Sequence, residues 1–379
     1  MTGTPRLAFV HDWLTTWGGA EQVLAAALEV YPEAPVYTLI YRPEVFRNSV
    51  IGRHEIRTSF LDRMPFARSR HRAYLPLMPL AVEQFDLREF DVIVSISHAV
   101  AHGVLPQPGQ LHINYICIPI RYAWHLHHDY LAQSGLRRGL KSIAARVLLH
   151  YVRLWDQLAS DRVDHFVAIS RWVARNVWRA YRRPADVIYP PVDVDRFEAL
   201  SPREDYYITV SRLVPYKRVD LVVQAFARLG RRLVVVGDGP ELPRLRAMAG
   251  ENVRLAGWQS DESLRELLGR ARAFVYAAEE DFGISPVEAQ AAGCPVIAYG
   301  RGGASETVID GKTGILYREQ SVEALMRAVR EFEQAPDRFR VEDLRLNAER
   351  FSRERFVREF RAYVEQKWDA FRAQGGDAR

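Results

Sequence analysis

The sequence predicts an α/β protein built from two doubly wound units, each with a parallel sheet. Short apolar segments alternate along the chain with longer segments of helical periodicity. Several short segments are apolar at consecutive positions, as in Leu-Val-Val-Val at 233–236, and such strands are typical of parallel sheets buried on both faces. The alternation starts near Leu7 and again near Tyr207, so we expect two α/β units.

The predicted strands are short runs rich in β-branched, aromatic and other apolar residues. They occupy residues 7–10, 36–41, 92–96, 112–117 and 166–169 in the first unit, and 207–210, 233–236, 253–256, 273–276, 296–299 and 314–317 in the second. Helical patterns fill most of the intervals. Folds of this class bind ligands at the carboxyl ends of the strands, beside helix N-termini. Motifs that directly follow a strand are therefore the first candidates for a functional site.

The composition is that of an ordinary globular protein. The chain has 379 residues, of which 48% are hydrophobic and 26% charged, and its 17 Phe, 17 Tyr and 8 Trp exclude global disorder. At roughly 150 residues per domain, this length predicts two domains. The net charge of +5 is compatible with an anionic ligand or an anionic membrane surface. Charge without a recognition motif gives no support for nucleic-acid binding.

The cysteines and the apolar runs indicate where the protein works. Cys117 and Cys294 lie in apolar segments and are interpreted as small buried hydrophobic residues, not as a disulfide framework or a zinc site. The apolar run after Arg6 is too short for a signal-peptide core, and no run approaches the length of a membrane-spanning helix. We expect a cytoplasmic protein, with the inner face of the cell membrane as the place of any peripheral contact.

The boundary between the units is expected near residues 190–204. Pro190-Pro191 disfavours both a helix and a central strand, and so indicates a linker. We assign domains to residues 1–192 and 193–350 and a C-terminal helix to 351–379. In that last segment Phe356, Phe360 and Val364 recur at helical spacing and form one apolar face, which must pack on a unit that is already folded.

Two motifs suit the binding of an anion. Gly18 and Gly19 follow the first strand and open a helix, where glycine lets backbone amides approach an anion; a tight capping turn is the alternative. Arg212 and Lys217 follow the first strand of the second unit. A guanidinium fork and a compact ammonium suit a phosphate, although a solvated basic turn would use the same residues.

A third motif spans residues 280–288. Glu280 lies in a loop after a strand, Gly283 follows it, Ser285 suits a helix N-cap, Pro286 suits the first turn, and Glu288 falls in the opening turn. The amides near 282–285 would point into a cleft. A loop carboxylate can accept hydrogen bonds from sugar hydroxyls, and a carboxylate one turn later from a ribose. Acidic residues at a helix N-terminus also simply stabilise the helix.

Together these motifs resemble family-4 retaining glycosyltransferases of GT-B fold, over nearly the whole chain and in the same order. The matching positions are Gly18-Gly19-Ala20-Glu21, Arg212 with Lys217, Gly237-Asp238-Gly239, Glu280 with Glu288, and Gly302-Gly303 with Glu306. The segments 282–293, 299–303 and 121–124 look most like a branch of bacterial surface-polysaccharide mannosyltransferases, whose members commonly use GDP-mannose.

The resemblance implies a fold and a set of roles. The fold would be two facing Rossmann-like domains with a C-terminal helix that crosses back to the first. Arg212 and Lys217 would bind the donor diphosphate, Glu288 the nucleotide ribose and Glu280 the hydroxyls of the transferred sugar. The remaining donor-binding positions, which act mainly through their backbone, would be Gly18, Gly19, Gly237, Phe282, Gly283 and Ile284.

The expected reaction is the transfer of a hexose, with mannose from GDP-mannose as the leading donor, to a lipid-linked or surface polysaccharide. With no metal and no cofactor expected, fixed cations and helix dipoles must stabilise the leaving diphosphate. No carboxylate suits the nucleophile of a double displacement, which favours retention through front-face attack. The alternatives are a UDP- or dTDP-sugar donor, and a catalytically silent protein that binds nucleotide sugars.

The first domain departs from its relatives, which often carry His-[Ser/Thr]-Pro where this chain has Cys117-Ile118-Pro119. The histidine expected there is therefore in doubt, and His98, after a predicted strand, is our catalytic candidate. His11 and His102 are the alternatives, and any of the three could be structural. A metal site built from His125, His127, His128 and Asp129 competes with an ordinary surface histidine cluster.

Other segments of the first domain are candidates for binding the acceptor. Arg121, Tyr122 and Trp124 either line an acceptor groove, where flat rings suit sugar faces, or form a packed loop. The stretches 63–80 and 137–151 mix basic and apolar residues. Such helices either lie on an anionic membrane, as a polyprenyl-linked acceptor would require, or present a solvated basic face.

Overall fold

The computed structural model describes residues 5–124, 127–128, 131, 135–136 and 138–375. The chain divides into two compact units. One contains the residues up to Pro190 together with those from Phe356 onward, and the other runs from Pro191 to Arg355. The chain therefore passes from one unit to the other twice.

Within the described residues, the first unit contains a seven-stranded sheet. Its strands are β1 (Leu7–His11), β2 (Val36–Thr38), β3 (Ile56–Thr58), β4 (Val92–Ser97), β5 (Leu111–Ile116), β6 (His165–Ala168) and β7 (Ala185–Val187). The order is β3-β2-β1-β4-β5-β6-β7, and every neighbouring pair is parallel. The strand order reverses between β1 and β4, which is where a doubly wound sheet offers a ligand crevice.

Six helices of the first unit's described residues connect or flank these strands. They are α1 (Gly19–Val30), α2 (Pro43–Phe46), α3 (Ala67–Arg70), α4 (Met78–Glu83), α5 (Leu140–Ser160) and α6 (Arg171–Tyr181). Helix α6 begins where the hydroxyl of Ser170 accepts a hydrogen bond from the Val173 amide at 3.0 Å, which is an ordinary N-cap. Apolar residues of β1, β4, α4 and α5 share one buried cluster.

The second unit contains a six-stranded sheet in the part of the chain that the structure describes. Its strands are β8 (Tyr207–Val210), β9 (Leu233–Val236), β10 (Val253–Gly257), β11 (Ala273–Tyr276), β12 (Val296–Tyr299) and β13 (Gly314–Tyr317). They are parallel in the order β10-β9-β8-β11-β12-β13. Here the order reverses between β8 and β11, so the loops after these two strands meet at the expected binding crevice.

Helices cover both faces of this second sheet, as fully apolar strands require. They are α7 (Val219–Leu229), α8 (Leu242–Met248), α9 (Asp261–Arg270), α10 (Ile284–Ala291), α11 (Ala304–Thr307), α12 (Val322–Gln334) and α13 (Val341–Glu349). All four residues of β9 and of β11 are buried. The predicted fold class, two α/β units with parallel sheets, is therefore confirmed.

The last helix, α14 (Arg353–Ala373), starts in the second unit and packs in the first from Phe356 onward. The ring of Phe360 stacks on that of Phe356 at 5.4 Å and lies 6.5 Å from the rings of Phe9 and Tyr31. The hydroxyl of Tyr363 donates to the Asp186 carboxylate at 2.8 Å. The predicted return of this helix to the first unit is thus confirmed, and its apolar face closes the sheet's core.

Two local predictions were wrong. The N-cap of α10 is Gly283, with a left-handed φ of +85°, and not Ser285. The helix therefore starts at Ile284, so Ser285 and Pro286 are its second and third residues and Glu288 opens its second turn. Cys294 is buried as expected, but Cys117, just past the end of β5, is only half-buried. Among the described residues, no helix is long and apolar enough to cross a membrane.

We expect Phe360→Ala to destabilise the first unit by about 3–5 kcal/mol, because it removes a fully buried ring from an aromatic cluster. Urea denaturation followed by circular dichroism would measure this loss. Gln366→Ala, at an exposed position of the same helix, should change stability by less than about 0.5 kcal/mol. Equal effects of the two substitutions would contradict the packing role of α14.

Candidate functional site

The second unit brings together side chains from the loops after β8 and β11. The carboxylate of Glu280 contacts the ammonium of Lys217 through one oxygen and accepts a hydrogen bond from the Tyr276 hydroxyl through the other. The side chains of Lys217 and Glu280 are each only 15% exposed. Burying an ion pair costs desolvation free energy, which further hydrogen bonds such as that from Tyr276 help to offset. The carboxylate is therefore fixed in position at the crevice.

Arg212 lies at the open side of this cluster. Its guanidinium donates a hydrogen bond to the Tyr216 hydroxyl at 3.1 Å, and the Lys217 ammonium lies 5.7 Å from the centre of the Tyr216 ring. Arg212 is exposed, whereas Lys217 is half-buried. Both predicted cations thus lie beside one tyrosine, Arg212 at its hydroxyl and Lys217 near its ring.

Glycines bring the surrounding loops close together. A Cβ at Gly302, which has φ +69°, would collide with the backbone of Glu280, and the amide of Gly303 donates to the Glu280 carbonyl at 2.6 Å. A Cβ at Gly237 would collide with the carbonyl of Ser211, the residue before Arg212. The close approach at Gly237 in this structure is therefore to the chain's own backbone, where it positions the Arg212 loop.

The loop before α10 presents backbone rather than side chains. The ring of Phe282 is buried and meets the Phe351 ring edge-on at 5.4 Å. Gly283 then turns the chain into the helix that begins at Ile284. The first amides of a helix have no intrahelical acceptor, and its dipole favours negative charge. This helix start therefore suits an anionic group beside Lys217 and Glu280.

Glu288 stands apart from that cluster, one turn along α10, and is half-buried. Burial raises its pKa to about 7; the charge of Arg196 opposes the shift, while Asp193 and Asp261 add to it. Arg196 itself is paired with Asp261 at 2.7 Å. Glu288 is therefore partly protonated near neutral pH and can both donate and accept hydrogen bonds.

Two residues of this region were missed from the sequence. Tyr276 is the last residue of β11 and was assigned only to the strand. Trp258 is 77% exposed and directly follows Gly257, whose carbonyl accepts a hydrogen bond from the Gly237 amide at 2.8 Å. The sequence did offer a signal for Trp258, because it directly follows the carboxyl end of a strand. Loops at that position often carry functional residues, and a core tryptophan is seldom found there.

In the first unit, Asp12 organises the loop that carries His98. Its fully buried carboxylate accepts hydrogen bonds from four consecutive backbone amides, those of residues 98–101, at 2.6 to 2.9 Å. It also pairs with the Nδ1 atom of His98 at 3.0 Å. Burial would raise the Asp12 pKa, but His98 and the hydrogen bonds hold it well below its usual range.

The pairing of Asp12 with His98 raises the pKa of the histidine. Burial lowers it, but the charge of Asp12, its hydrogen bond and the charge of Glu21 together outweigh that effect. Glu21 is itself buried in the first turn of α1, close to the N-cap Gly18. Gly18 and Gly19 therefore begin a helix whose acidic third residue faces the His98 charge, a variant of the capping box.

The other histidines fit structural roles better. His11 is fully buried, and burial lowers its pKa to about 4. His102 is also buried, with its Nε2 atom 3.3 Å from Asp156. Of these three candidates His98 alone is not fully buried, with a side chain that is 27% exposed. The structure therefore favours His98 geometrically and leaves its catalytic role a prediction.

Two further sequence hypotheses have different outcomes. The indole of Trp124 donates to the buried Asp156 carboxylate at 2.7 Å, and Tyr122 and Trp124 pack against the first unit's core, which favours the packed-loop interpretation. In the histidine cluster, His125 and Asp129 lie outside the described residues. The rings of His127 and His128 are 5.1 Å apart. Within the part of the chain that the structure describes, no group of three metal-binding side chains occurs.

We expect Glu288→Gln to change how stability depends on pH. A carboxyl pKa raised from 4.5 to about 7 means that the folded state retains a proton the unfolded state loses, so wild-type stability falls as pH rises through this window. At pH 8 the variant should be more stable by on the order of 2 kcal/mol, allowing for partial exposure. Urea denaturation at pH 5 and pH 8 would measure this difference in stability. The same change in stability with pH in both proteins would refute the raised pKa of Glu288.

Comparison with known proteins finds relatives of the second unit. Residues 193–353 match the model of the family described as glycosyl transferases group 1. A GDP-mannose-dependent alpha-(1-6)-phosphatidylinositol monomannoside mannosyltransferase of Mycolicibacterium smegmatis is 34% identical over 240 residues, which are 52% of this chain and 63% of that protein. A glycogen synthase of Xanthomonas euvesicatoria is 29% identical over 184 residues, or 46% of this chain and 34% of that protein. The chain thus spans between about a third and two thirds of these relatives.

Similarity to a solved structure extends over both units. The Anabaena protein HepE, crystallised with UDP and glucose, matches with a TM-score of 0.70 over 96% of this chain and 100% of that one, at 17% sequence identity. A likeness at this identity establishes a shared fold. Residues 193–353 of this chain are therefore similar to the glycosyl transferases group 1 family, and the chain has the GT-B fold, with two α/β units and a C-terminal helix that returns to the first.

Proposed function

We propose that this chain is a retaining, metal-independent glycosyltransferase. It transfers a hexose from a nucleotide-sugar donor, with mannose from GDP-mannose as the leading case, to a lipid-linked or surface polysaccharide. The observation that carries the proposal is the fixed Lys217–Glu280–Tyr276 cluster beside Arg212 and the start of α10. The 34% identity to a GDP-mannose-dependent mannosyltransferase supports mannose as the transferred sugar.

The cations supply the electrostatic part of the reaction. Breaking the bond between the sugar and the diphosphate leaves negative charge on the diphosphate, and we assign Arg212 and Lys217 to bind it. Preorganised cations and helix amides stabilise such charge without reorganising during the reaction. Because Lys217 is already held by Glu280, it does not have to be ordered when the donor binds.

The two glutamates recognise the donor's hydroxyl groups. Glu280, paired with Lys217 and oriented by Tyr276, accepts hydrogen bonds from the transferred sugar. Glu288 binds the ribose. Because two ribose hydroxyls are hydrogen-bond donors that favour the carboxylate form, nucleotide binding lowers the raised pKa of Glu288 and releases a proton.

In front-face transfer, an acceptor hydroxyl oxygen bonds to the anomeric carbon while the bond from that carbon to the diphosphate oxygen breaks. The hydroxyl proton passes to the departing phosphate, so no protein nucleophile is needed. The Asp12 carboxylate raises the pKa of His98 against the effect of burial, which favours the charged imidazolium over the neutral base. We assign it the binding of an anionic group in place of proton abstraction.

The silent-protein alternative is favoured by one observation, Cys117-Ile118 in place of the histidine-containing pair of relatives. Burial raises the pKa of the Cys117 thiol, with Asp12 and Glu21 adding to the shift, so this thiol is neither a base nor a nucleophile at neutral pH. Hydrolysis of the donor in the absence of acceptor, or transfer to an acceptor glycan, would separate the enzyme from a binding protein.

We expect GDP and GDP-mannose to stabilise the purified chain, and EDTA to leave this effect unchanged. A ligand at 100 times its dissociation constant adds about 2.7 kcal/mol to stability, which a thermal-shift assay resolves. UDP, dTDP and UDP-glucose form the comparison set. A rise in melting temperature with uridine or thymidine nucleotides alone would contradict GDP-mannose as the donor. Loss of the rise in EDTA would contradict metal independence. No shift with any nucleotide would overturn the proposal.

We expect Lys217→Ala to weaken GDP binding by roughly ten- to a hundredfold, because it removes a charged contact to the diphosphate. Isothermal titration calorimetry would measure the change. The matched control is Lys312→Ala, in the same unit, whose lysine is 54% exposed and paired with Asp343; its GDP affinity should remain that of the wild type. Equal losses in both variants would refute the assignment of Lys217.

A further inference from the structure

Helix α5 carries an apolar stripe that faces away from the first unit's core. Its opposite side is buried, with Leu149, Val152 and Trp155 among the buried residues. The outward side chains are large, apolar and between 48% and 85% exposed: Leu140, Ile143, Val147, Tyr151, Leu154 and Leu158. Their spacing of three and four residues places them on one face, which extends about 27 Å along the helix. A soluble surface rarely leaves such a stripe uncovered.

Positive charge borders the stripe. Lys141, Arg146 and His150 are exposed on α5, and the one acidic residue of the helix, Asp156, is fully buried. There it accepts hydrogen bonds from Trp124 and Tyr181, so it contributes no surface charge. Exposed acid appears again only past the helix end, at Asp161.

The neighbouring helix α6 extends the same chemistry. It is joined to α5 by the hydrogen bond from Tyr181 to Asp156. Its sequence contains no acidic residue, and Arg171, Arg175 and Arg179 are exposed on it together with Trp178, which is 53% exposed. Two adjacent helices therefore present apolar and basic side chains with no exposed acid between Leu140 and Ser160 or between Arg171 and Tyr181.

We propose that the outward faces of α5 and α6 dock the protein on a lipid bilayer with anionic headgroups. An amphipathic helix with basic flanks lies in the plane of such a surface, with its apolar side chains below the headgroups and its bases among them. Self-association through the same face is disfavoured, because a two-fold pair would bring like charges together. The acceptor's lipid linkage rests on the proposed function, but docking itself requires neither donor nor acceptor.

The test is flotation of the full chain with vesicles of phosphatidylcholine alone and of phosphatidylcholine with equal phosphatidylglycerol. We expect binding to the anionic vesicles, at least about tenfold weaker binding to the neutral ones, and a loss at 0.5 M salt. The double variant Val147→Glu/Leu154→Glu should bind anionic vesicles at least about tenfold more weakly. The matched control is Leu346→Glu, at a position 62% exposed in the second unit, and it should bind as the wild type does.

A second variant isolates the charge. Arg146→Gln/Arg175→Gln should lower binding to anionic vesicles by about fivefold for each arginine and leave binding to neutral vesicles unchanged. Unchanged flotation of both double variants, or equal binding to both vesicle types at any salt concentration, overturns the proposal. So does a dimer in sedimentation velocity that Val147→Glu/Leu154→Glu dissociates, without vesicle binding by the wild type.

The nucleotide experiment keeps this proposal separate from the preceding one. Each variant is checked for an unchanged melting temperature and for the GDP-induced thermal shift. Vesicle binding without any nucleotide shift would leave the docking surface standing and overturn the glycosyltransferase proposal. A nucleotide shift without vesicle binding would do the reverse.

Discussion

The contact between Lys217 and Glu280 is the constraint on which the candidate site depends. It joins the loops after β8 and β11, the two strands between which the order of the sheet reverses. Neighbouring parallel strands always end at the same edge, so the sheet brings these loops together, and the ion pair then fixes them. Gly302 and Gly303 allow a third loop to approach the backbone of Glu280 and Phe282. The geometry of the site thus follows from strand order and is completed by one charge pair.

The first unit repeats this logic with a different chemistry. Strands β1 and β4 are its central neighbours, and Asp12 and His98 immediately follow them. Here the carboxylate is buried and organises backbone amides, while the histidine is the exposed partner. In the second unit both charges border the crevice. The two units therefore use one sheet topology to position a histidine in one case and a carboxylate in the other.

The sequence predicts the central strands and the site's residue types well, because continuous apolar runs and glycine-rich loops are local signals. It does not predict the edge strands β3 and β7, since Ile56-Arg57-Thr58 and Ala185-Asp186-Val187 are short and partly polar. It also misses the pairing of Asp12 with His98, 86 residues apart. Such contacts depend on strand order, which periodicity does not encode. The displaced N-cap of α10 shows the same limit, because Ser285 is a good cap locally but the loop needs a left-handed residue earlier.

The path of helix α14 has a consequence for synthesis on the ribosome. The sheet of the first unit is translated early, yet Phe356 and Phe360, which cover part of its core, are made only after the whole second unit. The second unit, by contrast, is complete by Arg355. Part of the hydrophobic core of the first unit therefore stays exposed until the second unit has been translated. A nonsense mutation between Arg355 and Phe360 would then damage the domain that was translated first.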